Sequence, residues 1–408
     1  MTPRILLITT MTWPSAARYA AGFAELGCVA DALFPARHPM AKSRFVGACY
    51  AYRPLAPQRS LMDAIARSMP DLIVPLDERA LGHLLALHAR TVPGTILWQL
   101  ITRSLGKPEV YAQLTKRSAF IHAMREAGIA APSTLAVSRA ADFDDALLRV
   151  GLPVVLKTDA SWGGDGVVFA HTYRHAHESF ARMATAPSRL RSLARLIHRR
   201  DWHFLDDVLR PHTPIVNLQG FVAGTPATTA FACWQGNVLA MVHYDVIAAD
   251  GATAPASVVR IVEDAQMDKA AHVAASLFGL SGLHGLDFMR DANGNPHLIE
   301  ANPRATQTGH LALGPGRDLL AALVGRLKGA DALPRKTRTT HDTIALFPQE
   351  WMRDRGSVHL ANAFHDVPWD DDGFLRACLN GAPVPVRTAP VPHDIGEPMA
   401  KARLDSQP

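Results

Sequence analysis

Residues 285–304 read Gly-Leu-Asp-Phe-Met-Arg-Asp-Ala-Asn-Gly-Asn-Pro-His-Leu-Ile-Glu-Ala-Asn-Pro-Arg, and among them Asp287, Glu300 and Asn302 stand at spacings a strand pair can bring together. Asn293-Gly294 is a strong hairpin signal, because a two-residue type I′ turn needs positive φ at both centres. With that turn, Asp287 lies opposite Glu300, and Phe288 lies opposite Ile299. Side chains alternate along a strand, so Glu300 and Asn302 share a face with Asp287. Leu286, Phe288, Ile299 and Ala301 then point into a core. Two carboxylates directly opposite each other destabilise a sheet, and a divalent cation removes the conflict. Oxygen ligands without thiol or imidazole suit Mg²⁺ or Mn²⁺. Mg²⁺ typically takes one or two carboxylates and completes its shell with water and substrate phosphates. The competing reading is a surface hairpin with two solvated acids.

A second stretch points to phosphate. Residues 151–157, Gly-Leu-Pro-Val-Val-Leu-Lys, read as a strand that ends on Lys157. Thr-Asp-Ala-Ser-Trp-Gly-Gly-Asp-Gly follows, then the strand 167–170. Gly163, Gly164 and Gly166 give a loop whose backbone N–H groups can wrap an anion. The pattern is not GxxxxGK[ST], since the lysine precedes the glycines and a strand follows them.

The elements that position these groups read in order. Residues 4–10, 29–34 and 71–78 form short apolar strands, with helices at 16–26, 61–68 and 79–90 between and after them. Ser15 is a candidate helix cap. This β-α-β-α order predicts an open parallel sheet, with ligands at the carboxyl ends of its strands. Thr9, Thr10, Met11, Asp77 and Glu78 fall there. Helix capping is the alternative role for the two acids. Residues 104–106 read as a linker, 110–128 as a helix containing Lys116, 143–150 as a short helix, and 174–210 as an arginine-rich, roughly helical stretch with a solvated face. A strand over 214–222, a hairpin over 228–246 around Gln235-Gly236-Asn237, a strand carrying Arg260, and a helix over 267–280 lead into the 285–304 hairpin. A helix over 319–327 follows. Residues 335–338 read as a basic linker, 344–348 as a strand, and His365-Asp366 with Asp370–Asp372 as a solvated turn more readily than a metal site.

The chain has 408 residues, too many for one core, and its net charge of +5 is too diffuse to argue for nucleic acid. Its four cysteines form no CxxC pair and read as reduced thiols. No stretch reaches membrane length. A cytoplasmic protein is expected, with a homodimer as a common prior.

Three blocks occur in one order: Leu-Thr-Lys116-Arg followed by Gly128-Ile-Ala-Ala-Pro-Ser-Thr; Leu-Lys157 followed by Ser161-Trp-Gly-Gly-Asp-Gly166; and the 286–304 stretch. Here the chain resembles the ATP-grasp superfamily over roughly residues 1–330. The resemblance implies an α/β and α+β fold: an N-terminal open parallel α/β (pre-ATP-grasp) domain at 1–108, ATP-grasp lobe A with the glycine-rich lid hairpin at 109–213, lobe B with the metal hairpin at 214–330, and a small C-terminal extension at 331–408. Lys116 and Lys157 would contact ATP phosphates, and the loop with Ser161, Gly163, Gly164 and Gly166 would close over them. Gln219, Gly220, Phe221 and Val222 would line the adenine pocket. Asp287, Glu300 and Asn302 would hold Mg²⁺ or Mn²⁺. Arg260 and Arg304 would face the transferred phosphate or the acceptor carboxylate, with Lys157 offsetting charge in transit. Asp287 stands where many members have Glu, and Gln219 stands where a Glu often begins the hinge. The implied activity is ATP-dependent ligation of a carboxylate, such as an amino acid or small acid, to an amine through an acyl-phosphate. A phosphotransferase without condensation and a non-catalytic ATP-binding protein are the alternatives. Partners would be ATP and small-molecule carboxylate and amine substrates, with no nucleic acid and no membrane.

Overall fold

The computed structural model describes residues 2–158, 166–185 and 215–381. Three sheets organise them. The first is parallel and contains β1 (Arg4–Ile8), β2 (Val29–Phe34), β3 (Val46–Ala51) and β4 (Leu72–Pro75) in the order β3-β2-β1-β4. Its β1, β2 and β4 are almost wholly buried runs, as expected of strands covered on both faces. Strand β3 alternates in burial and is one the sequence reading missed; glycine, cysteine and alanine give it little strand signal.

The second sheet is antiparallel, with β5 (Thr134–Val137), β6 (Val154–Thr158), β7 (Val167–Ala170) and β8 (Val216–Gly220) in the order β5-β8-β6-β7. The third has seven strands: β9 (Thr225–Trp234), β10 (Asn237–Ala249), β11 (Ala256–Val262), β12 (Gly282–Arg290), β13 (Pro296–Asn302), β14 (Thr343–Ala345) and β15 (Phe364–His365), in the order β13-β12-β9-β10-β11-β14-β15. The expected mixture of a parallel α/β sheet followed by two α+β sheets is therefore present. Only four residues join β8 to β9, so the chain passes directly between the last two sheets. Gly224 permits this crossing, since a Cβ there would fall 1.6 Å from the Arg290 carbonyl oxygen.

Several local expectations need correction. Ser15 makes no side-chain cap bond to the helix Ala16–Glu25. Residues 104–106 are no linker: Ser104 and Leu105 end the helix Ile96–Leu105, and Gly106 bridges to Leu280. The helix expected over 110–128 breaks, leaving Lys116 with extended backbone before the helix Arg117–Glu126. Of the arginine-rich stretch, the described part carries the helix Tyr173–Ala184, and residues 186–210 lie outside the described residues.

The C-terminal part is also more integrated than an extension. Strand β14 pairs with β11, and β15 pairs with β14. Arg335 is no linker residue: it is ion-paired to Glu25 and Asp318. Asp366 is not solvated. It is buried between Arg18, at 2.5 Å, and His310, at 2.7 Å.

The β12–β13 hairpin holds a compensation of two errors. The last pair is Arg290 with Pro296, and Gly294 but not Asn293 has positive φ, so the loop is longer than a type I′ turn. Asp291 closes it, accepting from the backbone N–H groups of Asn293 and Asn295. A one-residue bulge then follows: Phe288 faces Leu298, and Asp287 faces Glu300, leaving Ile299 as the extra residue. The longer loop shifts the register one way and the bulge shifts it back. Asp287 therefore meets Glu300 as expected, while Leu298 replaces Ile299 in the core.

Candidate active site

Strand β6 delivers Lys157 and the β12–β13 hairpin delivers the acids. Lys157 lies near the C-terminal end of β6, paired with Asn217 and Val167, and is only 6% exposed. Burial lowers its pKa, while the nearby Glu300 and Asp287 raise it in part. Lysine and acids from two different sheets thus share one electrostatic environment.

Asp287 is held from two sides. Its Oδ1 accepts from the Thr228 hydroxyl at 2.9 Å, and its Oδ2 accepts from the Asn302 amide at 2.8 Å. Its pKa is nevertheless raised, first by burial and then by the facing Glu300. Glu300 forms an ion pair with Arg117 at 2.7 Å. Asn302 in turn accepts from Arg304 at 3.2 Å, and Arg304 pairs with Glu78 at 2.6 Å. One polar chain thus runs from the first domain into the hairpin. Burial alone would raise the Glu78 carboxyl, but Arg304 brings it below its ordinary value.

The Asp77–Glu78 pair divides its roles. Asp77 is a structural cap: it accepts from Ala80 N–H and from Thr9 and Thr10, latching the end of β1 to the helix Glu78–His88. Glu78, one residue on, reaches the hairpin.

The structure does not bring every sequence candidate here. Arg260 pairs with Asp245 at 3.6 Å. Its row across the sheet is Arg260, Asp245, Ala227 and Phe288, one residue out of step with the row containing Asp287 and Thr228. Alternation puts Arg260 on the opposite face, beside Arg290 and Asp264. Lys116 is exposed where its neighbour Arg117 reaches Glu300. Gln219 is 3% exposed, and its amide donates to Thr134 and to the Ile299 carbonyl. Its side chain is therefore committed to protein. The N–H of Gly220 donates to Ser133, and that of Phe221 to Pro153. Phe221 is partly exposed at an edge contact with Phe169, and Val222 follows it into the four-residue crossing. Gly166 has φ of +81° and accepts from Thr158 N–H, which closes the base of the glycine loop. Ser161, Gly163 and Gly164 lie outside the described residues.

Arg117 and Thr228 were missed as members of this cluster, whereas Glu78 was expected near a ligand. Arg117 had a weak signal in its place beside Lys116. Thr228 depends on a contact distant in sequence. A cavity of about 240 Å³ elsewhere is lined by Met241, His243, Glu263, Asp268 and Arg317. His243 already bonds Thr229 and Asp268, which suits a staple between sheet and helix. Among the described residues, no group of three His, Cys, Asp or Glu side chains gathers to hold a metal, and no helix is long and apolar enough to cross a membrane.

Comparison with known proteins agrees with this geometry. A family model described as an ATP-grasp domain matches residues 202–308. No curated protein matches the sequence. The fold is similar to that of N5-carboxyaminoimidazole synthetase from Staphylococcus aureus complexed with ADP, at 13% identity over 83% of this chain and 80% of that one, with a TM-score of 0.56. It is also similar to biotin carboxylase from Campylobacter jejuni, at 15% identity over 82% and 72%, TM-score 0.58. The L-amino acid ligase from Bacillus licheniformis gives 15% identity over 80% and 75%, TM-score 0.53. Residues 202–308 thus match an ATP-grasp domain, and the chain shares its fold with these three proteins.

Proposed function

We propose that this protein is an ATP-dependent ligase that joins a carboxylate to an amine through an acyl-phosphate, releasing ADP and phosphate. The observation that carries this reading is the meeting of Lys157 from one sheet with the opposed acids Asp287 and Glu300 from another. A Mg²⁺ or Mn²⁺ ion fits the donor set. Asp287, Glu300 and the Asn302 amide offer only oxygen, and the raised pKa of Asp287 is the mark of charge that a cation would relieve. Two carboxylates suffice for Mg²⁺, whose remaining positions water and substrate phosphates fill. When bound, the ion would offset charge on the substrate phosphates.

The chain's own groups do the rest. Lys157 would hold a phosphate oxygen, and the exposed Lys116 is a second candidate. The glycine-rich loop from Ser161 to Gly166 would close over the phosphates and keep water off the acyl-phosphate. Backbone of Gly220, Phe221 and Val222, at the crossing between sheets, would line the adenine pocket. Arg304, oriented by Glu78, would face the transferred phosphate or the acceptor carboxylate. Arg260 leaves this set. We further propose that the first domain limit falls near 108, that the expected limit at 213 moves to the crossing after β8, because β8 completes the sheet of β5, β6 and β7, and that β14 and β15 join the part after 331 to the third sheet. Structural neighbours named as an L-amino acid ligase and a carboxylase support the class of reaction.

The test is ADP and phosphate release from Mg²⁺-ATP with pooled amino acids and small carboxylic acids, with products weighed by mass spectrometry. The expected result is pool-dependent ADP with a product one water lighter than the summed substrates. AMP release would contradict the acyl-phosphate route. ADP with a stable phosphorylated product would make the protein a phosphotransferase.

A further inference from the structure

We infer that Gln219 is a positioning residue for the metal-binding acids, acting through the bulge at Ile299, and that it must be an amide rather than a carboxylate. The inference deepens the nucleotide-and-metal reading of the cleft and rests on it.

The bulge decides where Glu300 points. Without the bulge, the register that begins with Arg290 opposite Pro296 would place Ile299, not Glu300, opposite Asp287, and Glu300 opposite Leu286. A one-residue slip turns every later side chain to the other face. Glu300 would then face the core and Ala301 the cleft. A bulge leaves the extra residue out of the ladder, so something else has to hold it. Among the described residues, strand β13 is also the edge of its sheet, with no further strand to hold the Ile299 carbonyl.

Gln219 supplies that hold. From β8 of the other sheet, its Nε2 donates to the Ile299 carbonyl at 3.1 Å and to the Thr134 hydroxyl oxygen at 3.0 Å. The neighbouring Leu298 N–H donates to Ala130 at 2.8 Å. Ile299 is thereby fixed from the lobe that carries Lys157. A carbonyl accepts only, so the group facing it has to donate. The Thr134 hydroxyl lies 3.1 Å from the Pro132 carbonyl, where its proton is engaged, so it too takes Gln219 as a donor. An ionised glutamate at 219 would set an acceptor against the Ile299 carbonyl. The glutamine is therefore matched to the bulge.

The test uses the full chain with Gln219→Glu and Gln219→Met, and Thr134→Val as a control that spares the Ile299 bond. Hydrogen exchange over residues 296–302 is followed without nucleotide, and ADP is titrated with and without Mg²⁺. Both Gln219 variants should accelerate exchange around Glu300 by about tenfold, the loss of one buried hydrogen bond. They should weaken the Mg²⁺-dependent part of ADP binding by about tenfold, as supporting residues of metal ligands do. ADP affinity without Mg²⁺ should change less than about twofold, within the spread of neutral substitutions. The Met variant guards against a Glu variant that does not fold. Unchanged exchange at 296–302 in both variants overturns the inference. Equal losses with and without Mg²⁺ overturn it too, by making Gln219 a nucleotide contact. A wild-type chain that binds no ADP overturns the functional reading instead, and the exchange data stand apart from that failure.

Discussion

Two buried clusters of charge lie on either side of the loop after β13, and they are built on opposite principles. Around Asp366, Arg18 and His310 surround a single acid, and the pKa of that acid is held well below the ordinary range despite its burial. Around Asp287 the acids face each other. Burial and Glu300 raise the pKa of Asp287, and burial lowers that of Lys157. The first cluster is closed on itself and joins the helix Ala16–Glu25, the loop and the C-terminal strands. In the second, two acids face each other, with Arg117 paired to Glu300. A strained set of ionisable groups beside a matched one is a better marker of function than charge density.

The comparison can be broken first at its stable side. Asp366→Ala leaves Arg18 buried without its acid and should cost about 3–5 kcal/mol in denaturant unfolding. A loss under about 1 kcal/mol, as at an exposed pair, would show that this cluster is not structural. Glu300→Gln should lower ATP turnover by about a hundredfold or more while leaving Tm near wild type, because it removes one of two opposed charges. Full activity would remove the hairpin from the site. Lys157→Ala should weaken nucleotide affinity by about tenfold or more, the worth of one charge-assisted bond, measured by calorimetric titration. Unchanged affinity would detach Lys157 from the phosphates.

The smallest effect sharpens the contrast. Asp287→Asn can keep both bonds, accepting from Asn302 and donating to Thr228, while shedding a charge. It should stabilise the metal-free protein by up to about 1 kcal/mol at neutral pH. The signs with pH are opposite for the two acids. The Asp287 pKa is raised, so its cost is absent below the ordinary carboxylate range and appears as pH rises through the folded value. The Asp366 pKa is lowered, so its contribution is present above that range and disappears as pH falls through the folded value. The stability gap between wild type and Asp287→Asn should close in acid, and the gap with Asp366→Asn should also close, from the other sign. A gap of constant size for either would refute the assigned charge state.

Local chemistry made much of the hairpin legible. Alternation placed Leu286 and Phe288 in the core and Asp287 opposite Glu300, although the loop and the bulge were both unseen and happened to cancel. Helix limits such as Phe143–Val150 and Leu319–Leu327 followed from glycine stops and apolar spacing. What sequence could not give was pairing at long range. Glu78 with Arg304, Arg117 with Glu300 and Asp366 with Arg18 join residues from separate elements, and no spacing rule reaches across them. Arg260 failed for a related reason. Its apolar neighbours on both sides hide which face of β11 it occupies, and only the register with Asp245 decides it.

The central claim is that Asp287 and Glu300, with Lys157, form a site for a metal-bound nucleotide. The most direct measurement is an ADP titration of wild type and Glu300→Gln, each with and without Mg²⁺. Wild type should bind ADP at least about tenfold more tightly with Mg²⁺, and Glu300→Gln should bind it equally in both conditions. A Glu300→Gln protein that keeps the full Mg²⁺ enhancement would contradict the account.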